Sequence, residues 1–513
     1  MGHQDVGLDP DVVSGLHAGL PGGACQYFFG QRHRLPNIAE PARGINAGPA
    51  NGAPRGESTG FLPPSGSTMP RNRRAGGRQW DGCRASPAAN AAFWTSTTRD
   101  RYMAEPIHGA GVASSPTPPQ RWLNRTVLGI GLASLLSDCS HEIATAVLPA
   151  YLATLGVAAA WLGLIEGVAD GTASFAKMLS GYYTDRLRRR KPIAVAGYVV
   201  TALGTAGFGL AQSAWHVLAA RTLAWLGRGV RTPVRKALLA AAVSPATYGR
   251  AFGFERMMDT VGAIVGPAAA MALLSATGHH YPSVFAWTLV PGLLAAGCIA
   301  WGVVERERLP IRHLSWHASL RALPLPYRRF LLAVALFGAG DFAHSLLILL
   351  ATQQLTETRG AAAAASVAVM LYMLRNFFYA GFSLVAGWLA DRFPKSRVLA
   401  VGYGLAALMA LGLIVLPLNL ATLTAIFVLA GIYIAIEETL EDSLCAELVA
   451  ESQQGMAFGT LATVNGIGDL VSSVVVGALW TAWGTEVAFA YSAVLFLAGA
   501  LLVARLPVLR GSQ

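Results

Sequence analysis

Residues 181–191 read GYYTDRLRRRK, and residues 387–397 read GWLADRFPKSR. Gly181 answers to Gly387, Asp185 to Asp391 and Arg186 to Arg392, each 206 residues further on. A second match keeps the same register, Ala251-Phe252-Gly253 with Ala457-Phe458-Gly459. Two unrelated short matches at one offset mark an internal duplication. Both Asp-Arg copies lie between long apolar stretches, so the repeated unit is a bundle of membrane helices.

Composition agrees. Hydrophobic residues make up 53% of the chain and charged residues 13%, where a soluble chain carries about 25% charged. Apolar segments near the roughly 20 residues that cross a bilayer fall at 126–152, 161–183, 192–211, 215–240, 251–275 and 283–303 in the first half. Those of the second half fall at 330–352, 364–389, 397–416, 421–446, 456–480 and 486–506. The expected fold is therefore all-α, with twelve transmembrane helices in two pseudo-symmetric six-helix lobes, 121–304 and 330–513, joined by a linker at 305–329.

Arg186, Arg188, Arg189, Arg190 and Lys191 follow span two, and Arg392, Lys395 and Arg397 follow span eight. Arg306, Arg308, Arg312, Arg321, Arg328 and Arg329 lie between spans six and seven. The opposite loops carry little beyond Arg359. Positive charge stays cytoplasmic, which puts both ends of the helical core inside. The net charge of +11 then reflects topology, and nucleic acid is not an expected partner. Five cysteines at unrelated spacings offer no disulfide framework or zinc site. A Gly-Lys-Ser/Thr nucleotide loop is also missing, so an ion gradient is the expected energy source, with no cofactor and no enzymatic activity.

Residues 1–120 hold 14 of the 27 prolines and no lysine. Such composition cannot bury enough surface to offset its ordering entropy. The segment is expected to be a disordered extension, or an artefact of start assignment with translation beginning at Met103.

Gly181-x-x-x-Asp185-Arg186-x-x-Arg189-Arg190 between spans two and three resembles the signature loop of the major facilitator superfamily. The resemblance covers about 390 residues, from the first span to the end. It departs from the pattern where a second glycine is expected, at Arg188 and Pro394. By resemblance Gly181, Asp185, Arg186 and Arg189, with Asp391 and Arg392 in the second copy, gate one face of a transporter. In span five Gly262-Ala-Ile-Val-Gly266-Pro267 is similar to the motif of antiporters and drug exporters in that superfamily. The usual closing Gly-Gly is replaced by Ala270-Met271. Small residues also pack membrane helices generally, which is the plain alternative. Arg221 in span four resembles the family's intramembrane arginine, implicated there in proton handling, although Trp225 stands where a glycine is expected.

Charge at bilayer depth costs at least about 2.5–3.5 kcal/mol, so each such residue is a candidate. Span one has Asp138, His141 and Glu142, and span seven has Asp341 and His344. Both contain Asp-x-x-His, which places the two side chains on one face of a helix. The resemblance implies that spans one, four, seven and ten line a central cavity, where these pairs load and release protons near neutral pH. The alternative is that each His satisfies its Asp within a packed interface, and a metal site from the four is a lesser one. Glu166 in span two and Arg375 in span eight are further substrate candidates.

At the same offset, Arg231 aligns with Glu437, Arg235 with Glu441 and Lys236 with Asp442, and Glu438 adds to the acidic stretch. Opposite charges at equivalent positions of two lobes can lock one end of the bundle in one state. The alternative is independent charges in water, each pair worth about 0–1 kcal/mol.

The expected function is proton-coupled export of a small organic compound by a monomer in the inner membrane, resembling bacterial drug and metabolite exporters. Proton-coupled uptake is the alternative. A non-transporting twelve-span sensor is the alternative from another class, but it has no need of mid-span carboxylates.

Overall fold

A computed structural model of the chain describes residues 121–157, 159–305 and 315–506. The expectations for 1–120, and for Arg306, Arg308 and Arg312, fall outside the described residues. Among the described residues there is no strand.

The first lobe contains α1 (Arg125–Thr154), α2 (Ala159–Thr184), α3 (Lys191–Ala206), α4 (Ala214–Ala241) and α5 (Tyr248–Ala276). Its sixth span is α6 (Tyr281–Trp287) and α7 (Leu289–Gly297), ending in a π-helical turn, Cys298–Gly302. After a short α8 (Trp316–Arg321), the second lobe contains α9 (Leu325–Gly338), α10 (His344–Arg359), α11 (Ala361–Arg392), α12 (Lys395–Val415), α13 (Leu420–Leu448), α14 (Gln454–Trp483) and α15 (Thr485–Ala504).

Local chemistry explains the starts. Asn124 caps α1, its side-chain oxygen accepting from the backbone N–H groups of Thr126 and Val127 at 2.9 and 3.1 Å. Proline opens α3, α6 and α9, where a missing N–H costs nothing. Gly360 and Gly484, at φ of +79° and +93°, make the one-residue turns into α11 and α15 that a side chain would strain.

Eight helical segments are long and apolar enough to cross a membrane, among the described residues. The remaining four spans are α1, α2, α4 and the pair α9–α10, which carry most of the ionisable residues discussed below. Within the lobes α1 packs on α5 and α2 on α4, and in the second lobe α11 packs on α13. The lobes meet through α5 on α11 and α2 on α14, two contacts related by the duplication.

Span seven departs from the sequence expectation. It is broken between α9 and α10, and residues 339–343 are not helical. The freed carbonyls are captured from neighbouring helices. Tyr491 Oη donates to Ala339 O at 3.1 Å and Ser472 Oγ to Asp341 O at 2.7 Å, which makes a helix break tolerable at membrane depth. The interruption of span six follows from Pro291, which cannot donate to the carbonyl of Trp287. There Ser140 Oγ donates to Thr288 O at 2.8 Å.

Candidate functional site

Both Asp-Arg loops lie at one end of the bundle, and each aspartate reaches into the other lobe. Asp185, at the end of α2, accepts from the backbone N–H groups of Gly455 and Met456 at 2.9 and 2.7 Å. Asp391, at the end of α11, accepts from those of Gly249 and Arg250 at 2.7 and 3.2 Å. Each carboxylate therefore sits on the positive N-terminus of the opposite lobe's helix, α14 or α5. Gly249 and Gly455 are themselves 206 apart, so the arrangement is a twofold pair of latches.

The helices approach to backbone contact at these points. A Cβ on Gly181 would stand 2.4 Å from the Gly455 carbonyl oxygen, and one on Gly249 2.2 Å from that of Gly387. Phe252 and Phe458 meet with ring centroids 5.7 Å apart. Along α2, Gly181, Ser174 and Gly167 share a face at seven-residue spacing. Ser174 still touches α14, since Thr463 Oγ1 donates to its carbonyl oxygen at 3.4 Å. Around Gly167 nothing lies within 4 Å of a built Cβ. The lobes are joined at the end that carries the basic loops and part towards the other.

The arginines of the two loops behave differently from the aspartates. Arg186 stacks over Tyr182 and Arg392 over Trp388, at 4.0 and 3.9 Å, the same contact repeated at the 206 offset. Arg189 lies beside Glu305. Arg190, which is buried, donates to Asp185 within its own lobe at 3.3 Å. Arg250 pairs with Asp391 across the lobes at 2.7 Å. Glu305 holds the start of α3 by accepting from the backbone N–H groups of Arg190 and Lys191. Burial lifts its carboxyl above the usual carboxylate range, against the opposing pull of the Lys191 N–H and of Arg189 and Lys191.

Of the three charge pairs expected at equivalent positions, one is made. Lys236 Nζ lies 2.6 Å from Asp442 Oδ1. Arg231 and Glu437 do not meet: Arg231 covers the ring of Tyr198 at 4.0 Å, and its Nε and Nη1 have no hydrogen-bond partner. Arg235 and Glu441 do not meet either. Arg235 pairs with Glu255 at 2.8 Å, while Glu441 accepts from Tyr403 Oη and Asn465 Nδ2 at 2.5 and 2.7 Å. The reason is geometric. Equivalent residues stand equally far from a twofold axis on opposite sides, so only those beside the axis can touch. Glu438 pairs instead with Arg256 of the first lobe, at 2.6 Å.

A cavity of about 210 Å³ lies between the lobes behind these contacts, lined by α2, α4 and α5 on one side and by α13 and α14 on the other. Asp138 and Asp341 are not among its lining residues. Asp138 is buried behind Arg228, which it meets at 3.3 Å. His141 packs on Trp225, centroids 4.4 Å apart, and lies 3.7 Å from Glu142. Glu166 pairs with Arg221 at 2.8 Å, and that guanidinium also lies 3.9 Å over the Trp225 ring. Trp225 in turn donates to Asp170 at 2.5 Å. This forms one connected polar cluster within the first lobe.

The second-lobe pair differs from its sequence reading. Asp341 lies in the break of span seven and His344 opens α10, so the two do not share a helical face. Asp341 Oδ1 accepts from Tyr433 Oη at 3.1 Å, and His344 stacks on Tyr372 with centroids 5.1 Å apart. Arg375 is buried and donates to Asn376 at 2.9 Å. Among the described residues no three His, Cys, Asp or Glu side chains form a metal-ligand group.

Gly262 and Gly266 set α5 against α1. A Cβ on either would stand 2.4 Å from an α1 atom, the Leu135 carbonyl oxygen or Glu142 Cβ. Pro267 lies within α5, which continues through it. Arg250, Arg256, Tyr403 and Tyr433 escaped the sequence reading. Extending the Ala-Phe-Gly match two residues upstream pairs Gly249 with Gly455 and would have flagged the position beside Arg250.

Comparison with known proteins fits this arrangement. The profile of the Major Facilitator Superfamily matches residues 130–355 and 330–512. An uncharacterized MFS-type transporter of Methanocaldococcus jannaschii, MJ1317, is 28% identical over 383 residues, covering 75% of this chain and 95% of that protein. The multidrug resistance protein MdtH of Escherichia coli is 28% identical over 159 residues, 30% of this chain and 39% of MdtH. Among solved structures, the MFS transporter FucP in the outward conformation superposes with a TM-score of 0.61 at 17% identity, covering 74% of this chain and 98% of FucP. With two six-span lobes, a duplicated Asp-Arg loop and a profile match along both halves, the chain is a multi-pass membrane protein and a transporter of the major facilitator superfamily.

Proposed function

We propose that this transporter exports a small organic compound in exchange for protons, by alternating access, as a monomer in the inner membrane. The observation that carries the reading is the twofold pair of latches, Asp185 on α14 and Asp391 on α5, at one end of lobes that part at the other. The basic end is cytoplasmic by the positive-inside rule, so the state described is closed to the cytoplasm. The lobes comprise residues 121–304 and 330–513, with a cytoplasmic linker at 305–329.

Export is favoured by the Gly262-Gly266-Pro267 packing of α5 on α1 and by the local similarity to MdtH, named for multidrug resistance. Proton coupling is assigned to Asp341 ahead of Asp138. Asp138 has Arg228 as a counter-charge. Asp341 accepts from a tyrosine hydroxyl and, among the described residues, no lysine or arginine pairs with it, in a helix break of the kind that holds coupling ions in transporters. Protonation of a buried carboxylate removes a large desolvation cost, which links proton occupancy to the packing of α9, α10 and α13.

The test is proton movement in respiration-energised everted vesicles challenged with cationic drugs, organic acids and metal chelates. Substrate-triggered proton efflux, lost in Asp341→Asn and kept in part by Asp138→Asn, supports the reading. Uptake of a compound together with protons would support the symport alternative and overturn export.

A further inference from the structure

The two walls of the central cavity carry opposite charge. The first lobe contributes six basic side chains and one acid, Asp259, and the second contributes four acids and no base. Most of these charges neutralise one another. Arg228, Arg235, Lys236 and Arg256 each have a carboxylate within 4 Å. On the first-lobe wall that leaves Lys177 and Arg231 without a paired carboxylate, among the described residues. On the second-lobe wall it leaves Glu441 without a paired cation, among the described residues, while Asp469 and Lys177 attract one another across the cavity.

Arg231 is the informative one. It is 2% exposed, lines the cavity and has two guanidinium nitrogens with no hydrogen-bond partner. A buried guanidinium left in that condition is expensive unless something completes it. Across the cavity Asn465 donates its amide to Glu441, and its own Oδ1 is left without a partner. Carboxylate and amide oxygen together offer only acceptors, the complement of an ammonium group.

From this pairing of an unfilled anion site with an unfilled cation site, we infer that the cavity takes a small zwitterion. Its carboxylate or similar acid group lies on Arg231 and its ammonium on Glu441 and Asn465. The inference rests on the carrier reading above and names its substrate class. A simple anion would face Glu441 with no cation of its own to offset it, and a simple cation would face Arg231. At low dielectric such like-charge approaches exclude the wrong ligand more strongly than they would in water. A cavity of about 210 Å³ lies below the roughly 300–1,000 Å³ of pockets for drug-sized ligands, so it suits a small molecule. Bridging the lobes through its two ends, such a molecule also makes its contacts only while the walls face each other.

The test uses the full-length protein in detergent and a series of amino acids whose ammonium and carboxylate are one to five methylenes apart. Each is run beside its des-amino acid and its des-carboxy amine, with binding read from the concentration dependence of thermal stabilisation. At least one amino acid should bind saturably, about tenfold or more tighter than either singly charged analogue. Arg231→Gln and Glu441→Gln should each weaken it about tenfold, and Arg231→Lys should restore part of the loss. Should Arg231→Gln fail to fold, Asn465→Ala serves, with the amino acid's advantage over its des-amino acid lost and binding of the des-amino acid unaffected. Equal binding of the des-amino acid, or no binding by any member of the series, overturns the inference. Proton movement driven by the drug panel alongside such a result would leave the carrier reading standing. Amino-acid binding without any transport would do the reverse.

Discussion

Lys236 and Asp442 occupy equivalent positions of the two lobes, 206 residues apart, and form an ion pair of 2.6 Å beside the pseudo-twofold axis. Both side chains are nearly buried. Breaking a buried pair by removing one partner costs about 3–5 kcal/mol, far above a surface pair, and here the cost falls on the state in which the lobes touch. Lys236→Asp and Asp442→Lys should each depopulate that state, slowing transport by at least about tenfold. The double exchange should restore most of the rate. Spin-label distances across the basic end would check it, and equal distances in all four proteins would remove the pair from the gate.

The glycine contacts predict a sharper defect. Alanine at 249 would put its Cβ 2.2 Å from a backbone oxygen of α11, and backbone cannot swing aside as a side chain can. Because that contact exists only when the basic end is closed, Gly249→Ala and Gly181→Ala should abolish transport while leaving helix content and lobe stability near normal. A labelling reagent should reach a cysteine placed near Phe252 in the variant and be excluded in the parent.

Removal of a latch aspartate should shift the same equilibrium less. Asp391→Ala leaves the start of α5 without its cap, and helix N-caps are worth about 0.5–2 kcal/mol, so the open population should rise roughly 2- to 30-fold. Asp391→Asn keeps an acceptor and should lie between. Identical distance distributions for Ala and parent would show that the carboxylate does not hold the lobes together.

Glu305 gives a pH dependence outside the membrane. Its carboxyl is held above the ordinary range in the folded protein, chiefly by burial, so the fold binds a proton more readily than the unfolded chain. Its contribution to stability is thus fully present below the unfolded value near 4.5 and is lost as pH rises through the folded value. As pH rises above 4.5, the thermal midpoint of the parent should fall relative to that of Glu305→Gln. Parallel profiles would count against it.

The duplication was legible because glycine and aspartate at a helix end have few substitutes: Gly181 and Gly387 touch backbone, and Asp185 and Asp391 accept from it. Alignment also placed Lys236 with Asp442, but it could not distinguish that pair from Arg231 with Glu437. Offset reports equivalence, and contact depends on distance from the axis. The break in span seven was hidden for a related reason. Ala339-Gly340-Asp341 contains no proline, and its carbonyls are rescued by Ser472 and Tyr491, residues far along the chain. Arg250 and Arg256 were invisible because their partners, Asp391 and Glu438, lie in the other lobe.

The two latches are not electrically alike. The guanidinium at Asp185 is Arg190, from the same lobe, with a side chain 2% exposed. The one at Asp391 is Arg250, from the opposite lobe, with a side chain 33% exposed. When the lobes separate, Asp185 keeps its counter-ion and Asp391 meets solvent bare. Dissolved salt screens an exposed pair and scarcely reaches a buried one. Ionic strength on the basic side therefore loosens the second latch while sparing the first, and the conformational cycle carries a dependence on salt set by one arginine.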